Sequence, residues 1–520
     1  MRKTRLFLLF TSSLLLFFLI TTLFQFWYEN YYNPFPDWHP LEPPIDTTAQ
    51  ERAEYVKEAF VHSFNGYKQH AWGYDEVRPV TGSTRNTRNG WAATIVDSLD
   101  TMILMNLTKE YELSRELVSR IDFKKTSDLV NVFETTIRYI GGLLAAYDLT
   151  GDNLYLDKSI ELAVQLLPAF DTPTGIPFQY VDLKKKTAVH SRFPGKASAL
   201  SEFGSLQLEF RRLSELSGNP IFLNKAQRII DILQSKSTEL PGLYPVFMDP
   251  LNGKFTTSWI TWGGLGDSFY EYLLKHYIMV EGTLDQYLDM WLLAIDSTKK
   301  YLISTGFGFS NMTYLSQWWE GKPYYEMSHL ACFAPGNFLL GGHILKNDTL
   351  IELGLNLTYT CYLSYESTNT KVGPEEFAYV GANEARSLRW NRKQRNSYFS
   401  KGIFVTDGHY YLRPEVIESI FYAYRITGDK KYQDWGWNIF RAITKYCRTP
   451  IGFSGVRDVT NLKRRWDNIA ESFWFAETLK YLYLLFNEED LLPFDQWVLN
   501  TEAHPFRIGG KKPASSRQEG

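Results

Sequence analysis

Cysteine is scarce in this chain: three residues in 520, Cys332, Cys361 and Cys447. That excludes a disulfide-stapled scaffold and a Cys-rich metal module, and leaves room for one disulfide among three pairings. Excess charge of one sign is also missing. The net charge is −3, so there is no electrostatic footprint for nucleic acid. Familiar catalytic signatures are absent as well. The sequence has no HExxH, no CxxC, no paired-His zinc spacing and no P-loop. Gly263 to Phe269, GGLGDSF, begins like a dinucleotide fingerprint, but Phe269 stands where the third glycine belongs. GFSG at Gly452 to Gly455 is not a nucleophile elbow. Seryl hydrolysis, redox chemistry and phosphoryl transfer therefore have no support.

Charge is missing altogether from one place, Leu6 to Trp27. As a helix this run spans roughly 33 Å, enough to cross a bilayer. Arg2, Lys3 and Arg5 precede it and Glu29 follows, which favours a cytoplasmic N-terminus. A cleaved signal peptide would end at small residues, whereas this run ends in FQFWYEN. We expect a cytoplasmic tail at 1–5, an uncleaved transmembrane signal-anchor at 6–27 and a Pro-rich lumenal stem at 28–49. A domain at 50–506 and a polar, disordered tail at 507–520 would follow. Four Asn-x-Thr sequons, at Asn106, Asn311, Asn347 and Asn356, suit a lumenal placement.

What is present in abundance is helix. Three segments share one pattern: LLAAYDLTGDNLYLDKSIELA, EFRRLSELSGNPIFLNKAQRI and SIFYAYRITGDKKYQDWGWNI. Each is an apolar run, a turn (at Gly151, Gly218 or Gly428), then a second run. Glycine stops the first helix and Asp or Asn caps the next. Weaker turns near Asn106, Gly282, Asn347 and Asn487 bring the array to about seven hairpins, spaced roughly 45 to 80 residues apart. The expected fold is all-α, an array of helical hairpins in one large domain. The longest irregular insert, near 365–401, carries a basic run at 385–402 that reads as a solvated loop, with contact to a branched ligand as the alternative.

Seven acidic residues interrupt segments that otherwise look like buried helix: Glu134, Glu202, Asp267, Glu415, Glu418, Glu471 and Glu477. A buried carboxylate is costly unless paired, hydrogen-bonded or metal-bound. Seven of them favour a closed ring around a polar cavity. Aromatics make up 16% of the chain, and rings beside carboxylates are what glycoside hydrolysis uses. Glu134, among Phe133, Ile137, Ile140, Leu143 and Leu144, is expected to have a raised pKa and serve as general acid. Asp267 follows Gly263, Gly264 and Gly266 at a helix start, where the ionised form is favoured. Glu415 follows Arg413 and Pro414, which places it in a first turn and keeps it ionised, as a general base needs. Glu418 shares its face. Asn500 to Pro505, NTEAHP, closes the domain, and an oxygen-rich site there would suit calcium.

FETTIR, GLGDSFYEYLLK, RPEVIES, ESFWFAETLKYL and NTEAHP, in that order, resemble the class I α-1,2-mannosidases, glycoside hydrolase family 47. The resemblance implies an (αα)7 barrel with a central site. It also implies an inverting, calcium-dependent exo-hydrolase that trims high-mannose N-glycans on glycoproteins. By motif, Glu134 matches the acid, thought to act through a water. Asp267 and Glu415 match the two candidates for the base, of which we favour Glu415. Thr501 matches the calcium ligand. Arg138, Glu202, Arg413, Glu418, Phe473, Glu477 and Glu502 match substrate- or cavity-lining positions, with Phe473 stacking on the terminal mannose. Cys332 and Cys361 fit the family's disulfide, which leaves Cys447 free. Leu265 stands where the endoplasmic reticulum enzyme tends to carry Arg, so GLGDSFYEYL is similar to the Golgi-type subgroup and implies broad trimming from Man8–9 towards Man5. The alternative is a lectin-like quality-control protein that binds mannose with little turnover.

Overall fold

The computed structural model describes residues 21–22, 35, 38–382, 391–463, 465–488 and 490–513. Among these, no helix is long and apolar enough to cross a membrane. The expected span at 6–27 lies outside them apart from Thr21 and Thr22, as do residues 28–34, 36 and 37 of the expected stem and the last seven residues.

Fourteen helices build the domain as paired inner and outer elements. They are α1 (Ala49–His70), α2 (Leu99–Leu104), α3 (Thr108–Arg120), α4 (Gly141–Thr150), α5 (Asn153–Leu166), α6 (Gln207–Ser217), α7 (Ile221–Gln234), α8 (Asp267–Met279), α9 (Asp285–Ser297), α10 (Ala334–Leu345), α11 (Asp348–Glu366), α12 (Glu415–Thr427), α13 (Lys431–Cys447) and α14 (Leu479–Phe486). Each even-numbered helix from α2 to α12 packs on the helix that follows it, and α14 packs on α1. The even-numbered helices also pack on one another in sequence, α2 on α4 round to α12 on α14. The turn Trp474–Thr478, which leads into α14, packs back on α2. The result is a closed helical barrel. Its last pair joins opposite ends of the chain, which no local repeat could announce.

Local chemistry explains the hairpins. Gly151, Gly218 and Gly428 end α4, α6 and α12 with φ of 74°, 72° and 67°, where a β-carbon would be strained. Asp152, Asn219 and Asp429 then each accept a hydrogen bond from the N–H two residues on. The inner helices are buried on nearly every face: all eight residues of α14 are buried, and so are eight of the ten in α4. Outer helices such as α7 and α13 bury one stripe. Helix α1 begins with a Thr48–Glu51 capping box. Just before it, the carbonyls of Pro43 and Pro44 accept hydrogen bonds from Arg441 and Trp437 of α13, so this segment lies against the barrel wall.

Two segments differ from expectation. The basic run is not a loop where it is described: Arg392–Lys401 is helical. Asn391 and Gln394 form a capping box, Gly402 ends the helix with φ of 80°, and buried Tyr398 anchors it. Residues 385–390 lie outside the described residues. The chain also keeps its structure beyond residue 506. Trp497–Leu499 pairs antiparallel with Pro505–Arg507, the Arg507 N–H donates to Asp148, and Ile508 is buried. The Arg507 guanidinium stacks 4.4 Å from the Trp497 ring. The interleaved apolar residues Val498, Phe506 and Ile508 bring the hairpin into the ring, and this hairpin carries residues 500–504 at its turn.

Cys332 and Cys361 form the disulfide, tying the turn Leu330–Phe333 to α11, and Cys447 is free and buried. Asn106, Asn311, Asn347 and Asn356 are all exposed. The Asn347 side chain also caps α11 by accepting from the Leu350 N–H.

Candidate active site

The inner helices point their N-terminal ends at one cavity of about 430 Å³. Asp267 is the first residue of α8 and Glu415 the first of α12. Glu134 and Arg138 lie in the turns leading into α4, Glu202 in the short helix before α6, and Glu477 in the turn before α14. Thr501 and Glu502 come from the buried hairpin turn. All eleven expected cavity residues converge here: Glu134, Arg138, Glu202, Asp267, Arg413, Glu415, Glu418, Phe473, Glu477, Thr501 and Glu502. Glu471 does not. It bonds Arg85, beside Glu76, away from the lining.

Two of the turns are π-helical, Thr135–Ile140 with Arg138 and Trp474–Thr478 with Glu477. Such widened turns re-aim side chains and recur at functional sites. They bring Arg138 against four partners. It bonds Glu134 at 2.7 Å, Asp97 at 3.3 Å and Ser472 at 3.4 Å, and pairs closely with Glu502. Its guanidinium also lies 5.7 Å from the centre of the Phe473 ring.

Glu134 departs from expectation. It is not a carboxyl in an apolar wall, because Arg88 reaches it at 3.3 Å and Arg138 at 2.7 Å. Burial raises its pKa, but the two guanidiniums outweigh burial and hold it down to about 2. The loop carrying Arg88 is pinned by buried Asp75, which accepts from the Arg88 and Gly90 N–H groups at 2.7 and 2.9 Å. Asp267 departs in the other direction. Burial pushes it up to about 7, with Glu271 and Glu415 adding repulsion against the Ser268 N–H. A helix start alone does not offset that desolvation.

Glu415 behaves as expected. Burial raises its pKa, but the hydrogen bond from His329 at 2.6 Å, the His329 charge and Arg413 lower it further. The other His329 nitrogen meets the Tyr365 hydroxyl at 2.7 Å. Arg413 is held by a two-pronged bond to Glu375, 2.6 Å on each arm. Burial likewise drives Glu202 up to about 7, opposed by Gln179 and Asn131, and Glu418 up to about 8, opposed by Lys275.

Sequence reading missed Arg88, Glu271, His329 and Glu375. Glu271 had a signal, since it stands one helical turn after Asp267 and lines the same cavity. His329 and Glu375 lie in irregular chain with no periodicity to flag them.

The acids outnumber the cations. Eight carboxylates line the cavity against two arginines, Arg138 and Arg413. Glu477 is 7% exposed and takes no hydrogen bond from a described residue. At the same wall, the Thr501 N–H meets the Tyr272 hydroxyl at 3.3 Å, while no described residue donates to its hydroxyl or carbonyl oxygen. Among the described residues, no three His, Cys, Asp or Glu side chains converge closely enough to bind a metal directly. The free oxygens of Thr501 beside this surplus of acids fit a hard cation such as calcium, which Thr501 would hold. A second polar cavity of about 340 Å³ shares Glu134 and Glu202 with the first and adds Asn86, Arg88, Tyr180 and Arg192. A further depression, about 540 Å³ between Arg392–Lys401 and Asp458–Thr460, holds no such cluster of acids.

The raised Asp267 pKa has a consequence for stability. Its folded value lies above the unfolded one, so its contribution is complete below about pH 4 and is lost as pH rises through about 7. In calcium-free protein, Asp267→Asn should therefore gain melting temperature over the parent at pH 8 relative to pH 5. A difference independent of pH between those values would refute this account of Asp267.

The model of glycosyl hydrolase family 47 matches residues 59–508. The chain is 42% identical over 474 residues to the human mannosyl-oligosaccharide 1,2-alpha-mannosidase IB, covering 89% of this chain and 71% of that one. It is 39% identical over 487 residues to the mannosyl-oligosaccharide alpha-1,2-mannosidase of Coccidioides posadasii, covering 89% and 92%. Among solved structures it superposes on the alpha-1,2-mannosidase from Trichoderma reesei with a TM-score of 0.85 and 38% identity, covering 89% of this chain and all of that one.

Proposed function

This chain belongs to glycosyl hydrolase family 47, and on that premise we propose that its central cavity is the active site of an exo-α-1,2-mannosidase that trims high-mannose N-glycans. The ring of hairpins is the family's (αα)7 barrel. One observation carries the reading: all three carboxyls matched to the family's chemistry, Glu134, Asp267 and Glu415, meet in a single cavity with Thr501 and Phe473.

The charge states divide the roles. Glu415 is held ionised by His329 and Arg413, which suits a base that takes a proton from the attacking water. Asp267 is protonated below about 7, so it is the poorer base. Attack by free water, with no bond to the protein, gives inversion. Glu134 acts at the leaving oxygen through a water. Arg88 and Arg138 stabilise the carboxylate it becomes, and sugar binding must raise its pKa before it donates. Arg138 covers one face of Phe473, and the other stacks on the terminal mannose. The second cavity, sharing Glu134 and Glu202, receives the rest of the oligosaccharide.

Calcium held through the Thr501 hydroxyl and carbonyl would supply a hard centre that orients sugar hydroxyls and offsets the excess of carboxylates. Leu265 lines the cavity with φ of 77°, a conformation that costs a leucine about 1 to 2 kcal/mol. Its carbonyl accepts from the Ser201 N–H at 2.9 Å. A leucine here leaves room for several glycan branches, consistent with Golgi-type trimming towards Man5. We place the protein as a type II Golgi membrane protein, anchored by 6–27 and glycosylated on its exposed sequons.

Leaving-group chemistry tests the assignments. Mannosyl fluoride needs little help from an acid, so Glu134→Gln should retain far more activity on it than on a mannobiose. Glu415→Gln should lose activity on both substrates. If Asp267→Asn, and not Glu134→Gln, is the variant rescued by the fluoride, then the protonated Asp267 is the acid.

A further inference from the structure

We propose that His504, which lies behind the cavity, is a positioning residue: its ring spans two buried aspartates and fixes the turn that presents Thr501 and Glu502. The proposal rests on Thr501 as the calcium ligand.

His504 is fully buried, as are Asp97 and Asp100. Its Nε2 lies 3.1 Å from Asp97 and its Nδ1 3.1 Å from Asp100. Each nitrogen faces a carboxylate oxygen, so each donates. Lys480 then bonds Asp100 at 2.6 Å and donates to the Ala503 carbonyl at 2.8 Å. This clamps the turn from its other side.

Asn500 completes the brace. Its side-chain oxygen accepts from the Glu502 and His504 N–H groups at 2.9 and 2.8 Å. Its amide donates to the Ile137 carbonyl at 3.0 Å and to Glu209 at 2.7 Å. Between these anchors Ala503 is held at φ of 58°, a left-handed conformation that an alanine keeps only when its surroundings impose it.

The opposite wall is shaped to receive the ring. Helix α4 opens with Gly141 and Gly142. A β-carbon on Gly141 would lie 2.7 Å from the Asn500 amide and 2.9 Å from His504 Cδ2. One on Gly142 would lie 3.3 Å from His504 Cε1 and 2.5 Å from the Val96 carbonyl.

Apolar packing could fill this space without burying three charged groups, and often does so at no loss of stability. What packing cannot do is connect to the site. Asp97, on one side of His504, bonds Arg138 at 3.3 Å, and Arg138 holds both Glu134 and Glu502. His504 therefore bridges the turn that carries the cation ligand and the arginine that sets the acid.

The test compares His504→Gln and Asp100→Asn with the parent in the full chain, by calorimetric titration with calcium and by kcat and KM on a high-mannose glycan. We expect folded variants to bind calcium about 10- to 100-fold more weakly, with kcat recovering at saturating calcium. Parental calcium affinity in a folded variant would overturn the proposal, even if that variant unfolds more easily, because the residue would then be purely structural. If His504→Gln does not fold, Asp100→Asn carries the same test, and loss of folding in both would also overturn it. A parent that binds no calcium would overturn the metal reading itself, before any variant is made.

Discussion

Glu415→Gln should lower turnover of a mannose oligosaccharide by about 10²- to 10⁴-fold, the usual contribution of a general base, while the protein stays folded and still binds the sugar. Glutamine has the same shape, so it still accepts the 2.6 Å hydrogen bond from His329. The His329–Tyr365 contact and the Arg413–Glu375 fork have no reason to move. What disappears is the charge that Arg413 and His329 keep on the carboxylate at neutral pH. The loss should fall on kcat and leave KM within a few-fold, because the proton is taken only as water attacks. Calorimetric binding of the glycan to the inactive variant is the control. A variant that turns over within tenfold of the parent would remove Glu415 from the role and leave Asp267 to fill it.

Replacing Cys332 and Cys361 together by alanine should cost about 3 to 4 kcal/mol, the loop-closure contribution expected for a bridge between residues 29 apart. The bond ties α11 to the turn Leu330–Phe333, whose Leu330 and Phe333 line the cavity. Reduction of the disulfide should therefore lower the denaturant midpoint and loosen one cavity wall. Both cysteines are fully buried, so the alanines also leave a small void, which adds to the loss. A denaturant midpoint equal to that of the parent would show that packing alone holds this turn. Cys447 is buried and unpaired, so its replacement is the control that separates thiol loss from bridge loss.

Periodicity made the helical hairpins legible. Gly151, Gly218 and Gly428 fall where the apolar runs stop, and the structure uses them as left-handed caps. Local signals cannot show how the ring closes: α14 pairs with α1 across more than four hundred residues. The site was legible as a residue list, because acids inside apolar helices are conspicuous and the motifs are specific. Its electrostatics were not legible. Glu134 looked like an acid in an apolar wall because the apolar residues are its chain neighbours, whereas Arg88 arrives from a distant loop. Asp267 looked ionised because a helix start favours charge, yet burial outweighs that and Glu271 and Glu415 add repulsion. The basic run at 385–402 read as a solvated loop by composition; its described part, Arg392–Lys401, is largely exposed, but the Asn391 capping box and buried Tyr398 make it a helix. For Glu134 the deciding partner is remote in sequence, whereas for Asp267 the deciding term is burial, which only the assembled ring creates.

The most direct test of the account incubates the protein with a Man9 N-glycan, with and without a calcium chelator, and follows product masses over time. The account predicts stepwise loss of hexoses down to Man5, halted by the chelator and restored by added calcium. Folded, calcium-loaded protein that removes no hexose would contradict it and leave this cavity a mannose-binding site.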